Sequence, residues 1–578
     1  MGNSRIIINT VEDTLVSSSS TLPLEIGIVL KSPKGQIGSP IKVTTEAELL
    51  EKFGTPTSSY PVLDAVKSFL KVYGGITISR LKFSVDGAAS AAELDNTGAA
   101  ASVDLFGKSF SDFENGFSLI ITEATANDLT LALYDASDAL LESIQVAAAV
   151  ADFVSDVNAK SSFFSATLKN GATGNIDVQT VDFAAGVVGS QFVLQDVLDA
   201  LSVFDSPMLG RLDVIAAPGL AEISSPSSWA TWTANPVSTA WTTGTLYTIN
   251  SKVTYEGSIY NAVSEHTSGT FATDLSGGKL ALVQVIVAYS VGDLVINSGI
   301  KYSCITAHTA GTTFASANFV ASSEMEEVVK ALVILTGARQ EAIALVDFLE
   351  DKAVADIVAL FGADGTWPID SKIVYYHPGV KMRLSSGSAV VVPASMASLF
   401  VHAAASRVSR WASPAGFTSA MAIPYVSDFY KVLKQAEVDT LYNVEGAARP
   451  AVNPIVYDNS VGWVIDGQRT SAAVTDIRRS LSIEKLLDEI AYQATINSKK
   501  YQYKPNNQTT WDSWKLDMIT YLNSILTDGG ISSFQVFMGM NTMTQTDIQN
   551  GLLIGVVKLV PTFTIEEIQI TINVNLEA

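Results

Sequence analysis

The sequence of 578 residues predicts a multidomain α/β (α+β) protein with strand arms at both ends, a β-rich domain and an inserted all-β tandem repeat. Three observations predict it. A strand-and-helix pattern over residues 22–83 resumes after residue 323. Both termini carry β-branched or alternating runs. Between the two α/β stretches, one short β pattern occurs twice at a fixed offset. At roughly 100–200 residues per domain, the length implies about three to five domains.

The elements follow in order. "SRIIINTVEDT" sets Ile6, Ile7 and Ile8 in a β-branched run, and the Ser-rich "LVSSSSTLP" after it has linker composition. "PLEIGIVLKSP" is a buried strand. "TEAELLEKFG" is a helix with Thr45 as N-cap and Gly54 at its C-terminal signal position. "YPVLDAVKSFLKVYGG" places Val62, Ala65, Val66, Phe69 and Leu70 at helical spacing behind Pro61, and "ITISRLKF" returns as a strand. From Ser84 to about Phe204 the composition shifts to Ala, Ser, Asp and Gly, with alternating stretches such as "FSLIITEA" and "DLTLALYDA", which predicts a separate β-rich domain.

"RLDVIAAPGL" has the character of a central strand, yet the helix expected next, "EMEEVVKALVILTGARQ", arrives a hundred residues later, followed by the strand "AIALVDFLE". Residues 222–322 are therefore expected to be an insertion at a loop tip. Within it "YTINSKVTYEGSIYNAVSEHTSGT" and "YSVGDLVINSGIKYSCITAHTAGT" align without a gap. Tyr247 pairs with Tyr289, Val253 with Val295, Tyr260 with Tyr302, His266 with His308 and Gly269 with Gly311, the pattern of two copies of one small β module. Beyond it, "SKIVYYHPG" and "AVVVPAS" are strand-like and "MASLFVHAAASRV" is helix-like. "IRRSLSIEKLLDEIAYQATINSKK" is a long amphipathic helix and "WDSWKLDMITYLNSILTDGG" a further one. Strands then run to the end, where Ile568, Ile570, Ile572, Val574 and Leu576 share one face of "EEIQITINVNLEA". An alternating strand without a hairpin partner of its own points to pairing with another chain, hence to self-assembly.

Charge and motifs narrow the function. A net charge of −22, from 36 basic and 58 acidic residues, disfavours nucleic acid as a partner. No stretch approaches the roughly 20 apolar residues of a membrane span. The amino terminus lacks a secretory pattern and Cys304 is the single cysteine, which points to assembly in a reducing cytoplasm. There is no Gly-x-Ser-x-Gly elbow, no His-Glu-x-x-His and no phosphate loop, "FGTPTSSYP" lacking the lysine such a loop needs. No catalytic residue, metal ligand or cofactor is expected. His266 and His308 are single residues without other metal-ligating types at ligand spacing and are read as fixing loops, and Cys304 as a small buried hydrophobe.

A collinear series of segments, "EKFGTPTSSYPVLDAVKSFLKVYGG", "DVIAAPG", "VVPASMASLFVHAAASRVSRWASPAGF", "GWVIDGQRT" and "RRSLSIEKLLDEIAYQ…YKPNNQTTWDSW", resembles the tail sheath proteins of contractile-tailed bacteriophages, a family that includes the sheaths of contractile bacteriocins. It covers the first 85 residues or so and almost everything after 323. It departs from the family at "SRWASP", where relatives more often place a small residue and Val before the Trp.

The resemblance implies a subunit of a helical homo-oligomer of stacked hexameric rings around a tail tube, with baseplate and tail terminator proteins as further partners. It implies a place in the virion tail and contraction that drives the tube through the host envelope. The alternatives are the sheath of a bacteriocin-type injection system and a glycan-binding surface protein or adhesin. On this reading residues 1–20 are a strand arm and linker, 21–85, 206–221 and 323–565 the sheath core, 86–205 a protruding β-rich domain, and 566–578 the second arm. The family's arms add strands to neighbouring subunits, which would be the role of Ile6, Ile7, Ile8, Ile568, Ile570, Ile572, Val574 and Leu576. Its carboxy-terminal domain lies nearest the tube, which makes Arg478, Arg479, Lys485, Lys499, Lys500 and Lys504 candidate tube-facing residues.

The inserted repeats resemble small chitin-binding modules, through "WTTGTLY" and a Val-x-Tyr-x-Gly-x-x-Tyr centre. This implies sugar stacking by Trp241, Tyr247, Tyr255, Tyr260 and Tyr302, with host surface glycans as a possible ligand. The second copy has Ala288 near the Trp position and Asn297 in place of Tyr255, and so lacks part of the set.

Overall fold

The computed structural model describes residues 24–566 apart from 99, 126, 170, 207–208, 221–222, 224–228, 299, 362–366, 385–386 and 388. The arm residues Ile6, Ile7, Ile8, Ile568, Ile570, Ile572, Val574 and Leu576 lie outside the described residues. The chain divides into two compact units, residues 226–327 and the remainder on either side of them.

The larger unit is organised by an eight-stranded sheet. Its spatial order is Ile41–Val43, Ile76–Arg80, Ile26–Leu30, Val214–Ala216, Ile343–Asp347, Ile373–His377, Val452–Asp458 and Gly462–Ile465. The six inner strands run parallel and the two edge strands antiparallel to their neighbours. The inner strands "IGIVL", "VIA", "IALVD" and "IVYYH" are buried along their whole length, as strands covered on both faces must be. Val214–Ala216 pairs directly with Ile343–Asp347, although more than a hundred residues separate them in sequence.

Helices cover this sheet. In Glu46–Phe53 the Thr45 side chain accepts from the Glu48 N–H, the expected cap, and Gly54 ends the helix at φ +88°, where a side chain would be strained. Pro61–Tyr73 packs on Ala394–Ser406 through Phe69 and Phe400, whose rings meet edge to face at 5.4 Å.

Residues 91–183 build two further antiparallel sheets around a core of their own, centred on Phe153, Phe164 and Phe183. This stretch is not purely β. Val150–Lys160 is a helix, as is Leu194–Ser202 further on. Toward the carboxy terminus, Leu481–Lys499 and Gln508–Thr527 are the two long helices, and Trp411, Trp511, Trp514, Met518 and Leu522 form the core they share with the Ile531–Met538 and Gly555–Pro561 hairpin.

The smaller unit holds two β modules whose chain path is nested. In one, Thr239–Ala240 runs parallel to Lys252–Tyr255, which continues through Ser258–Ala262 to Leu280–Val285. In the other, the strand equivalent to Thr239–Ala240 is Ala230–Thr231, which runs parallel to Leu294–Asn297. The second module is thus begun by the chain before the first, and completed after it.

Candidate functional site

The hairpin of Ile531–Met538 and Gly555–Pro561 presents an open-edged surface that the sequence pattern did not single out. The strands pair antiparallel, and among the described residues neither has a second neighbour, so both outer edges are free. Period-2 alternation sends Val536, Met538 and Leu559 onto the Gln508–Thr527 helix and turns Val556 and Val560 outward. Gly555 has no room for a side chain, since a Cβ there would lie 2.3 Å from the Trp514 ring. Beyond the hairpin, Phe563 and Ile565 are 62% and 82% exposed. Two open edges beside exposed apolar residues are a template for added strands. The signal was present in "SSFQVFMGM" and "GVVKLVPTF", two alternating runs with no third partner nearby.

The six basic candidates do not form one patch. Lys485 is a correction: it is buried, donates to the Ala412 carbonyl at 3.2 Å, and cannot face a tube. Burial brings its ammonium down to about 8. Arg478 pairs with Asp476 at 3.2 Å, and Arg479 donates to the Asn443 carbonyl, both before the start of the long helix. Lys499, Lys500 and Lys504 lie at the other end and are exposed. Lys500 pairs with Asp517 at 2.6 Å, and Lys504 lies 4.9 Å from the centre of the Tyr501 ring.

A buried ionic network ties the long helix to the sheet. Asp213 accepts from Arg410 at 2.7 and 2.9 Å and from Arg211, while Arg211 also reaches Glu489 at 2.6 Å. Lys372 joins Glu484, at 2.9 Å, and Asp488. These two carboxylates hold the Lys372 ammonium above its ordinary value despite burial.

A cavity of about 280 Å³ opens where Lys31, Gly219 and Glu350 follow their strands. Beside it, buried Asp347 accepts from the backbone N–H groups of Gly219 at 3.0 Å and Ser395 at 3.2 Å, and burial raises its carboxyl to about 7. Among the described residues no group of three or more His, Cys, Asp or Glu side chains could hold a metal ion.

In the inserted modules the aromatic residues form the cores. Tyr247 is buried and stacked on Trp241 at 5.0 Å, with its hydroxyl accepting from the Thr242 N–H. Its ring is closed to a sugar, a correction to the sequence reading. Tyr255 lies on Phe271 with ring centres 3.8 Å apart, and Tyr260 and Trp241 meet the same Phe271 edge-on. Tyr302 contacts Phe314 at 4.8 Å. Trp241, Tyr255, Tyr260 and Tyr302 keep partial exposure.

The second copy has not lost its tryptophan: Trp232 occupies the place of Trp241. The Trp232 N–H donates to Ile296 at 2.9 Å as that of Trp241 donates to Thr254 at 3.0 Å, and Thr233 N–H donates to the Tyr289 hydroxyl as Thr242 does to Tyr247. The nested path hides this from a gapless alignment, although "ATWTA" and "TAWTT" carry the signal. His266 and His308 each meet, through Nδ1, the carbonyl two residues earlier, Ser264 at 2.9 Å and Thr306 at 2.8 Å.

No family model matches the chain. Over 163 residues it is 23% identical to the tail sheath protein of Enterobacteria phage T4, covering 28% of this chain and 23% of that protein. Over 127 residues it is 28% identical to the tail sheath protein of Vibrio phage KVP40, covering 22% and 18% respectively. The chain thus aligns with about a quarter or less of the length of these curated relatives. Among solved structures, the contracted helical sheath of the anti-feeding prophage aligns over 99% of this chain and 98% of its own at 12% identity and a TM-score of 0.49. A sheath tail protein from Listeria innocua aligns over 92% and 91% at 12% identity and a TM-score of 0.46.

Proposed function

We propose that the chain is the structural subunit of a contractile phage tail sheath, which polymerises around a tail tube by adding terminal strands to the sheets of neighbouring subunits and contracts to drive the tube through the host envelope. The observation that carries this reading is the two-edged hairpin of Ile531–Met538 and Gly555–Pro561, in a chain whose two end segments have strand patterns. Main-chain bonds along a free edge supply affinity, and an alternating apolar face fixes register. A head-to-tail contact that does not close on itself generates a helix, which suits a tube. The similarity to two phage tail sheath proteins supports the same reading.

The exposed Lys499, Lys500 and Lys504 are the part of the basic set suited to an acidic tube surface. Residues 226–327 are compact on their own and interrupt a strand-to-helix connection, which supports a self-contained module removable at its base. Negative-stain microscopy of the purified protein tests the proposal. Tubes are the expected outcome; discrete particles at every concentration and salt would favour a surface-binding protein instead.

A further inference from the structure

The Gly-Gln-Arg-Thr stretch 467–470 lies where the last described residues of the chain end. Gly467 allows that corner to close, because a Cβ there would sit 2.6 Å from the Tyr442 ring and 2.9 Å from Asn453 Oδ1. Asn453 then holds the corner from the sheet, accepting from the Arg469 N–H at 2.7 Å and donating to the Arg469 carbonyl at 2.8 Å. With its backbone fixed, Arg469 is presented on the Tyr442 ring, its Cζ 3.8 Å from the centroid, and donates to the Tyr442 carbonyl at 2.8 Å.

The remaining arm of the guanidinium donates to Glu566 Oε2 at 3.1 Å. Gln468 is buried and works from the other side. Its carbonyl oxygen accepts from Ser482 at 2.7 Å near the start of the long helix, while its amide nitrogen donates to Thr564 Oγ1 and to Glu566 Oε1 at 3.3 Å. Glu566 is therefore held on its two oxygens by two consecutive residues of one rigid corner, with the Tyr442 hydroxyl as a further partner.

We infer that this corner is an anchor for the root of the carboxy-terminal strand arm, with Arg469 and Gln468 as positioning residues that fix where residues 567–578 leave the subunit. The inference rests on the assembly proposed above. The geometry explains why the fixing matters. Thr562 still continues the hairpin, its N–H bonded to the Gly530 carbonyl at 3.1 Å, but Phe563 and Ile565 are exposed and contribute little burial of their own. Without the Thr564 and Glu566 contacts the last hold on the chain would be at residue 562. With them, the arm starts from a defined point and direction, which reduces the conformational freedom lost when it pairs with a neighbour and raises its effective concentration there.

The test labels Ile565→Cys with a nitroxide in the full chain, the one native cysteine, Cys304, being buried. Thr564→Val and Glu566→Ala together remove the side-chain partners of the corner without touching its core. The expected result is label motion faster by about 2- to 10-fold, the change that loss of one or two such bonds corresponds to, with a higher protein concentration needed for tubes. Unchanged label motion in the unassembled subunit would overturn the anchor, whatever the fate of the sheath reading. Faster motion with tube formation at the original concentration would overturn its part in assembly. The single variant Glu566→Arg, which sets like charges against Arg469, must exceed the double variant in both readouts.

Discussion

The sheet of the larger unit and the two inserted modules meet the same need, a dry interior, by opposite means. The sheet is wide enough to bury whole aliphatic strands and still enclose Asp213, Arg211, Arg410 and Glu489 as a paired network. Each module has a core cluster of five buried apolar residues, Tyr247, Val253, Ala262, Phe271 and Leu280 in one, and Tyr289, Val295, Cys304, Ala310 and Phe319 in the other. With so few positions, rings must supply the area, so aromatic residues that look like a ligand platform in sequence are the core. The large interior is closed by aliphatic strands, the small ones by rings.

The largest effect is expected where the sheet's interior charge is broken. Asp213→Ala leaves Arg211 and Arg410 buried beside Glu489 alone and should cost about 3–5 kcal/mol by chemical unfolding. A cost below 1 kcal/mol would show that the network is not held dry.

Next come the modules. Phe271→Ala removes the ring that Trp241, Tyr255 and Tyr260 share and should destabilise that module by about 3 kcal/mol or more. In calorimetry a separate low transition should shift while the main one stays. Trp232→Ala sharpens the point, because it should loosen only the module of Tyr289 and Phe319, as read by proteolysis across residues 287–321. Cleavage across 239–285 instead would contradict the nested path.

A smaller, pH-dependent effect is expected at His377. Burial lowers its pKa from 6.5 to about 3. The unfolded chain therefore takes up a proton that the folded chain refuses, and stability is lost as pH falls below about 6.5 toward 3. Asp347 acts in the opposite sense, its raised carboxyl gaining stability as pH falls from about 7 toward 3.8. The informative quantity is thus the difference between His377→Phe and the parent protein, which should move in the variant's favour on acidification. A difference constant from pH 7 to 4 would contradict the buried neutral imidazole. The smallest effect belongs to the surface. Lys500→Ala breaks its exposed pair with Asp517 and should change stability by less than about 1 kcal/mol.

What the sequence disclosed followed the size of the hydrophobic signal. The strands at 26–30, 76–80, 343–347 and 373–377, and the helices at 46–53, 61–73 and 481–499, stand where periodicity and caps put them, because each carries a long apolar run or a defined end. The helix at 150–160 was hidden because its valines favour a strand and it lies in a β-rich stretch. Lys485 was misplaced because its charge suggested solvent, whereas the fold supplies an ionic neighbourhood from segments distant in sequence. Trp232 and the roles of Gln468 and Arg469 depend on chain path and on contacts about a hundred residues apart, which no local pattern encodes.

Strand addition by the carboxy-terminal arm is the claim on which the functional account rests, and removing residues 567–578 tests it most directly. The truncated chain should show the same thermal unfolding as the intact one, since the deletion lies beyond every described core cluster. It should stay in the supernatant under conditions in which the intact protein pellets as tubes. Tubes formed as readily by the truncated chain would contradict the account.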